Sequence, residues 1–503
     1  MRVLLVDIPD ILFGPLRESL GRAHDVDALT ADLLDTELPH AEGYDLVVHG
    51  LGQGSDEDDQ ILRSTLGTWN LLQSMRAGRY LQLSSMRILA GYDDGWAVRE
   101  SWLPRPELDG TSLAVHLGEI TGRELSRNRA VATLALRLDE VVDADRFAAE
   151  DVDPRWLHVD DAVSAIVTAA TVPLPQSLPA GSWKPLHIVR GDGRYELVAA
   201  AASPFGWAPK HLHPQQSSVP VPQWPATPQP VTDLPPSNRI TVYGAGGPMG
   251  AATAVEFTER EFVRLTDLKS MAELATRAPQ SPGAPLPSPP SAPHEDVPVD
   301  ITDLAQVRAA AAGADCLVNL SVMRNDVGLA FRVNLLGARN VMLAAVDEGI
   351  RRVVHTGPTL AIAPFPIGSD HDRRVDGTQN FRAGDWVYLM TKLLGQEVVR
   401  LFAERHQIAA PVLLYNGFSA NNPDTETRRG GQKVAFVVSW ADSARSVAAA
   451  ADVTRLPEPS PVVNVLAPSP HDHYTVDRAR DVLGWEASDR LDRAWYAAGV
   501  SLD

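Results

Sequence analysis

The stretch Arg239–Ala254, RITVYGAGGPMGAATA, constrains the fold more than any other. A short β-branched run leads straight into glycines at 244, 246, 247 and 250, and an alanine-rich helical stretch follows. Glycines at this spacing permit a tight turn, close approach of backbone to a diphosphate, and close packing of helix on strand. The first amides of the helix, those of Met249 and Gly250, then point at the phosphates. The pattern predicts a strand–loop–helix unit that holds a dinucleotide through Gly244, Gly246, Gly247, Met249 and Gly250. It begins almost halfway along a chain of 503 residues, so a second domain-sized segment precedes it.

Composition narrows the setting. A hydrophobic content of 44% and a charged content of 22% fit a soluble globular protein. The formal charge of -19 argues against non-specific binding to nucleic acid or anionic membranes. The single cysteine, Cys316, lies in an apolar run, which excludes a disulfide framework and fits a reducing compartment. The N-terminus interrupts its apolar run with Asp7 and Asp10, a poor signal peptide, and no other segment reads as a membrane span. The expectation is a cytoplasmic protein. The His pairs at His211/His213 and His471/His473 sit in proline-flanked loops without a third ligand, so no metal is expected.

Two proline-rich stretches break the hydrophobic pattern. The first, 210–238, reads as an extended linker, and the second, 278–298, as a surface insertion. The regions flanking the linker resemble each other. YDLVVHGLG (Tyr44–Gly52) parallels ADCLVNLSV (Ala314–Val322), and STLGTWNLLQSM (Ser64–Met75) parallels VNLLGARNVMLAA (Val333–Ala345). YLQLSS parallels VVHTGP, WLHVDDAVSAIVTAA parallels VVSWADSARSVAAAA, and both halves close on Gly-Trp. The pattern predicts an α/β fold in which one unit is duplicated in tandem, at 1–209 and 239–503.

In the second half, EFVRLTDL ends a strand near Asp267, whose carboxylate would accept hydrogen bonds from the adenosine ribose and repel a 2′-phosphate. That favours NAD, although Arg264 and Lys269 keep NADP open. Asp300 and Ile301, in DITD, begin the next crossover where an adenine ring could be met, or serve as a helix N-cap. Tyr388 and Lys392 lie four apart on an amphipathic helix and share one face. An ammonium beside a phenol stabilises the phenolate, and the pair can then move the proton of an alcohol beside a hydride carrier.

With these residues in place, Arg239–Asp503 resembles the extended short-chain dehydrogenases/reductases, the NAD-dependent epimerase/dehydratase group. The match runs through VYGAGGPMG, DITD, VNLLGARNV, VVHTG, YLMTK, SWADSAR and VLGWE. The resemblance implies that the two tandem units are Rossmann-type, doubly wound parallel-sheet domains, each with a small C-terminal substrate-side region; in the second it implies a bound NAD(P), Tyr388 as acid/base, Lys392 on the nicotinamide ribose, and Asn334 as the asparagine before the active-site strand. The group's serine or threonine at the end of VVHTGPTLAIAP falls on Pro358 here, with Thr356 and Thr359 as the nearby hydroxyls. The segment after LLYNGFSANNP is too short to build a nucleotide pocket, a layout similar to that of uronate dehydrogenases, so a small sugar, sugar acid or polyol is expected. Arg428, Arg429 and Lys433 either meet a substrate carboxylate or are solvated loop charges.

The first half keeps the strands but places Asp7, Asp10 and Phe13 where the glycines belong, and His116 and Ile120 where Tyr and Lys belong. Carboxylates facing a diphosphate oppose binding. This half is expected to be a non-catalytic copy that pairs with the second as an in-chain pseudo-dimer, with further homo-oligomerisation open. Pro358 and the degenerate half leave a cofactor-binding pseudoenzyme, built for assembly or regulation, as the alternative.

Overall fold

The computed structural model describes residues 1–148, 153, 155–173, 181–190, 206–212, 220–281, 283–362, 374–419, 428–429, 432–433, 437–470, 473–489 and 491. The chain divides into two compact units, Met1–Ala226 and Thr227–Asp503.

The first unit is built on a six-stranded sheet. Its strands are β1 (Arg2–Val6), β2 (Asp25–Ala28), β3 (Leu46–Gly50), β4 (Gly78–Ser85), β5 (Val131–Leu138) and β6 (Trp183–Ile188), in the order β2-β1-β3-β4-β5-β6. All neighbours run parallel. Helices α1 (Asp10–Gly21), α2 (Glu57–Ser74), α3 (Gly110–Ser126) and α4 (Val159–Thr171) supply the crossovers. The central strands are buried at consecutive positions because helices cover both faces, leaving no solvent side to alternate with.

The second unit repeats this order with one strand more. Its strands are β7 (Arg239–Tyr243), β8 (Phe262–Asp267), β9 (Glu295–Pro298), β10 (Cys316–Asn319), β11 (Val353–Pro358), β12 (Val412–Tyr415) and β13 (Val462–Asn464), in the order β9-β8-β7-β10-β11-β12-β13. Every pairing is again parallel. The helices here are α5 (Pro248–Glu256), α6 (Leu304–Ala311), α7 (Gly337–Asp347), α8 (Val387–His406), α9 (Trp440–Asp452) and α10 (Asp477–Leu483). The chain leaves β7 toward β8 and β9, then crosses back to lay β10 on the other side of β7. This reversal opens a crevice at the carboxyl ends of β7 and β10, where doubly wound sheets take their ligands.

Described residues of both proline-rich stretches pack or pair with the second unit. Val231, Leu234 and Ser237 are buried in the second unit, and Val231 bridges to Leu456. Burying those two apolar side chains is worth about 1.5–3 kcal/mol each, enough to hold the segment down. The insertion ends in β9, at the sheet edge, where proline is tolerated because one side of the strand needs no donor. One helical run among the described residues, Val327–Asp347, is long and apolar enough to cross a membrane, but that window is 72% buried in the unit. The sequence reading had found no such run. Its length arises because a short helix, a wide turn and α7 follow one another without a break.

Candidate active site

The glycine loop leaves β7 at Gly244, which adopts φ +79, a conformation only glycine takes without strain. A Cβ there would also lie 2.7 Å from the Ser321 nitrogen. Gly250 packs against the Ala245 backbone, where a Cβ would meet Ala245 Cα at 2.5 Å. Helix α5 is capped by Gly247, and its first helical bond runs from Ala251 N–H to the Gly247 carbonyl. The Met249 and Gly250 amides therefore sit in the first turn, where N–H groups have no helical acceptor. This cradle of glycine backbone and helix N-terminus fits a dinucleotide diphosphate.

Asp267, at the end of β8, accepts the Gly246 N–H at 3.0 Å and its own neighbour Leu268 N–H at 2.9 Å. The carboxylate is thereby held at the loop's edge. Arg264 is drawn away into a bond with Glu295 at 2.6 Å, and Lys269 pairs with Glu273 at 3.8 Å. Asp300 accepts from the Thr302 N–H and hydroxyl, and the Ile301 carbonyl accepts Asn340 Nδ2 from α7 at 3.0 Å. The DITD turn is thus a rigid preface to α6, whose N-cap is Asp303.

Asn334 lies in a wide π turn, Phe331–Leu336, just before α7. Its Oδ1 accepts the Met323 N–H at 2.9 Å, and its Nδ2 donates to the Met323 carbonyl at 2.7 Å and to Thr391 Oγ1 at 2.8 Å. Gly395 on α8 makes the approach possible, since a Cβ there would come within 2.3 Å of the Asn334 carbonyl oxygen. Asn334 therefore clamps the loop after β10 to α8.

Lys392 is 2% exposed, and its Nζ donates to the Ser321 carbonyl at 3.0 Å. Burial, helped by the Arg324 charge, pushes its pKa down to about 7. Tyr388 carries a pKa raised by burial, while the charge and hydrogen-bonding reach of Arg324 pull it back. The Arg324 guanidinium carbon lies 5.3 Å from the centroid of the Tyr388 ring. The sequence reading missed Arg324; it stands in an unpatterned loop, and no local spacing ties it to α8. His355, buried beneath Lys392 on β11, is held well below its ordinary pKa by burial and by the Lys392 charge.

The two threonines differ. Thr356 donates its hydroxyl to the Asn319 carbonyl at 3.1 Å. Thr359 is 2% exposed, and its hydroxyl has no partner among the described residues. Pro358 ends β11 and offers no donor. Arg428 and Lys433 face each other in a two-stranded hairpin, and their side chains lie outside the described residues. His213 and His471 also lie outside them. His211 stacks on His158 at 3.8 Å with Asp160 near, a cluster absent from the sequence reading. His158 Nδ1 already accepts the Asp160 N–H at 3.1 Å.

In the first unit, internal ion pairs stand at the loop after β1 and beside the α3 positions that correspond to Tyr388 and Lys392. Asp7 keeps the left-handed turn with φ 48, and Arg63 from α2 grips its carboxylate at 2.8 and 2.7 Å. Glu119 on α3 pairs with Arg137 at 3.0 and 2.8 Å, both buried, and accepts the Ser84 hydroxyl at 2.5 Å. His116 and Ile120 are buried in α3.

Residues 240–439 match the NAD dependent epimerase/dehydratase family. A curated relative, the NAD-dependent glucose-6-phosphate dehydrogenase of Haloferax volcanii, is 23% identical over 269 residues, covering 50% of this chain and 93% of the relative. Among solved structures, uronate dehydrogenase from Agrobacterium tumefaciens is 21% identical with a TM-score of 0.41, covering 50% of this chain and 85% of its own. Glucuronic acid dehydrogenase from Chromohalobacter salexigens is 21% identical with a TM-score of 0.42, covering 53% and 92%. The matched family is NAD dependent, and the glycine cradle lies within the matched residues.

Proposed function

We propose that the second unit is an NAD-dependent dehydrogenase, or an epimerase/dehydratase-type enzyme, acting on a small sugar, sugar acid or polyol. One observation carries the reading. Ser321 touches both halves of the machinery: Gly244 of the cofactor loop packs against its nitrogen, and Lys392 of the Tyr-Lys helix donates to its carbonyl. The cradle and the acid/base helix therefore meet at a single residue.

The α5 N-terminus would hold the diphosphate, and Asp267 the adenosine ribose, with Asp300 and Ile301 beside the adenine. NAD, when bound there, supplies the hydride acceptor. Tyr388 moves the proton of the substrate hydroxyl, and Lys392 reaches the ribose from beneath. The unpartnered Thr359 hydroxyl is the better placed of the two threonines to bind the substrate oxygen, in place of the residue that Pro358 displaces. Removing such a donor typically costs about 10²–10³ in kcat. The carboxylate-bearing or phosphorylated sugars named for the relatives are the first substrates to try.

The first unit we read as a duplicated copy that no longer binds cofactor, retained as an in-chain partner. Pro358 also supports a second reading, a cofactor-binding pseudoenzyme. Calorimetric titration of the whole chain with NAD and NADP, followed by a turnover panel of hexose phosphates, uronic acids and polyols, separates the two. NAD binding with turnover supports the enzyme, NAD binding without any turnover supports the pseudoenzyme, and failure to bind either cofactor removes both.

A further inference from the structure

We propose that the substrate is an anionic sugar and that Arg324 binds its carboxylate or phosphate. The proposal rests on the reading of Tyr388 as the acid/base and narrows the substrate class at that site.

Arg324 stands beside the group that would react. Its guanidinium carbon is 5.3 Å from the centroid of the Tyr388 ring, no more than the span of one hexose. An anion held by Arg324 and a hydroxyl presented to Tyr388 can therefore belong to the same small sugar. The backbone that carries Arg324 is already in place. Ser321 N–H donates to Asn319 Oδ1 at 3.1 Å, and the Ser321 carbonyl accepts Lys392 Nζ at 3.0 Å. Met323 is held through both its N–H and its carbonyl by Asn334. A loop anchored before the ligand arrives loses little freedom on binding. Trp386, 46% exposed, flanks the same tyrosine ring edge-on with the centroids 6.0 Å apart.

The charge of Arg324 is uncommitted. Acidic residues outnumber lysines and arginines 64 to 45 in the chain, so carboxylates are in excess. Arginines elsewhere in the second unit find them: Arg260 pairs with Asp452, Arg264 with Glu295 and Arg308 with Asp347, each at 2.6 Å. Arg324 is exposed and makes no ion pair among the described residues. Asp326, two residues on, instead caps the short helix Val327–Ala330 by accepting the Leu329 N–H at 2.8 Å. A guanidinium beside the acid/base, without a carboxylate of its own, is open to one carried by a ligand. Its planar fork matches a carboxylate or phosphate with two parallel hydrogen bonds, and a neutral hexose has no such group to offer. Lys392 keeps its place beneath the tyrosine, and the two cations serve different parts of the complex.

The experiment is calorimetric titration of the full-length chain with glucuronate, glucose 6-phosphate and glucose, with and without NADH. The wild type should bind at least one of the two anionic sugars about tenfold or more tighter than glucose, and added salt should weaken that preference. Arg324→Gln should cut the preference on the order of 10–100-fold, with NADH affinity unchanged. Arg324→Lys should keep part of it, and it remains the informative variant should Arg324→Gln fail to fold. Trp386→Ala alters the same flank without removing charge and should leave the ratio of anionic to neutral sugar in place. A wild type that binds neither anionic sugar, or binds them no tighter than glucose, overturns the proposal. So does a preference that survives in both Arg324 variants. A loss of NADH affinity as large as the loss of sugar affinity also overturns it, because Arg324 would then be a diphosphate ligand. Binding needs no turnover, so a preference lost with Arg324 stands even if the acid/base reading of Tyr388 fails. Turnover through Tyr388 with the preference intact in Arg324→Gln removes this proposal alone.

Discussion

Lys392 makes a quantitative test of the site, because a buried lysine is unstable by an amount that depends on pH. Its pKa falls from 10.5 to about 7 on folding. The unfolded chain therefore binds the proton more tightly across that interval, and wild-type stability must rise as pH goes from 7 to 10.5. At about 1.4 kcal/mol per unit, the burial cost near pH 7 is on the order of 4–5 kcal/mol, and it is almost gone at pH 10.5. Lys392→Met removes the charge and keeps most of the volume. It also forfeits the hydrogen bond to Ser321, worth roughly 1.5–3 kcal/mol when one partner is charged. The variant should be more stable than wild type by about 2 kcal/mol near pH 7, and less stable near pH 10.5. Thermal unfolding of the cofactor-free chains at several pH values measures the difference, with contributions common to both proteins cancelling. A difference that does not vary with pH would mean that Lys392 is not a buried cation and would refute the reasoning. The same substitution should abolish turnover even where it stabilises the fold.

Other substitutions probe separate parts of the account. Gly244→Ala forces a Cβ onto Ser321 at a positive φ, so it should weaken NAD binding at least about tenfold while costing roughly 1–2 kcal/mol of stability, read by calorimetry and melting. Glu119→Ala strands Arg137 in the first unit; unfolding should be easier by about 3–5 kcal/mol with NAD affinity unchanged. Thr359→Val should lower kcat far more than Thr356→Val, and equal losses would remove the assignment of Thr359. Expressed alone, residues 227–503 should be poorly stable or prone to associate; a stable, fully active monomer would end the in-chain partner reading.

The parts of the site that the sequence displayed are those whose geometry is local. Gly244 to Gly250 fix a turn within seven residues, and Tyr388 and Lys392 share a face because a helix repeats every 3.6 residues. The parallel strands were legible because burial on both faces removes polar alternation. What the sequence concealed depends on tertiary approach. Arg63 finds Asp7 across 56 residues, so the carboxylate expected to repel a diphosphate is in fact tied inward. Arg324 meets Tyr388 only after Asn334 and Lys392 have fixed the intervening loop. The burial of Lys392 was hidden for the same reason: a sequence shows an ammonium, while only the fold shows that it is buried.

The central claim is that the second unit carries out chemistry with NAD through Tyr388. The most direct measurement is the rate of NADH formation by the whole chain and by Tyr388→Phe, on hexose phosphates and uronic acids, with NAD affinity measured in parallel. The account predicts turnover by the wild type and a loss of about 10²–10⁴ in kcat for Tyr388→Phe at unchanged NAD affinity. Turnover that survives the substitution intact would contradict it.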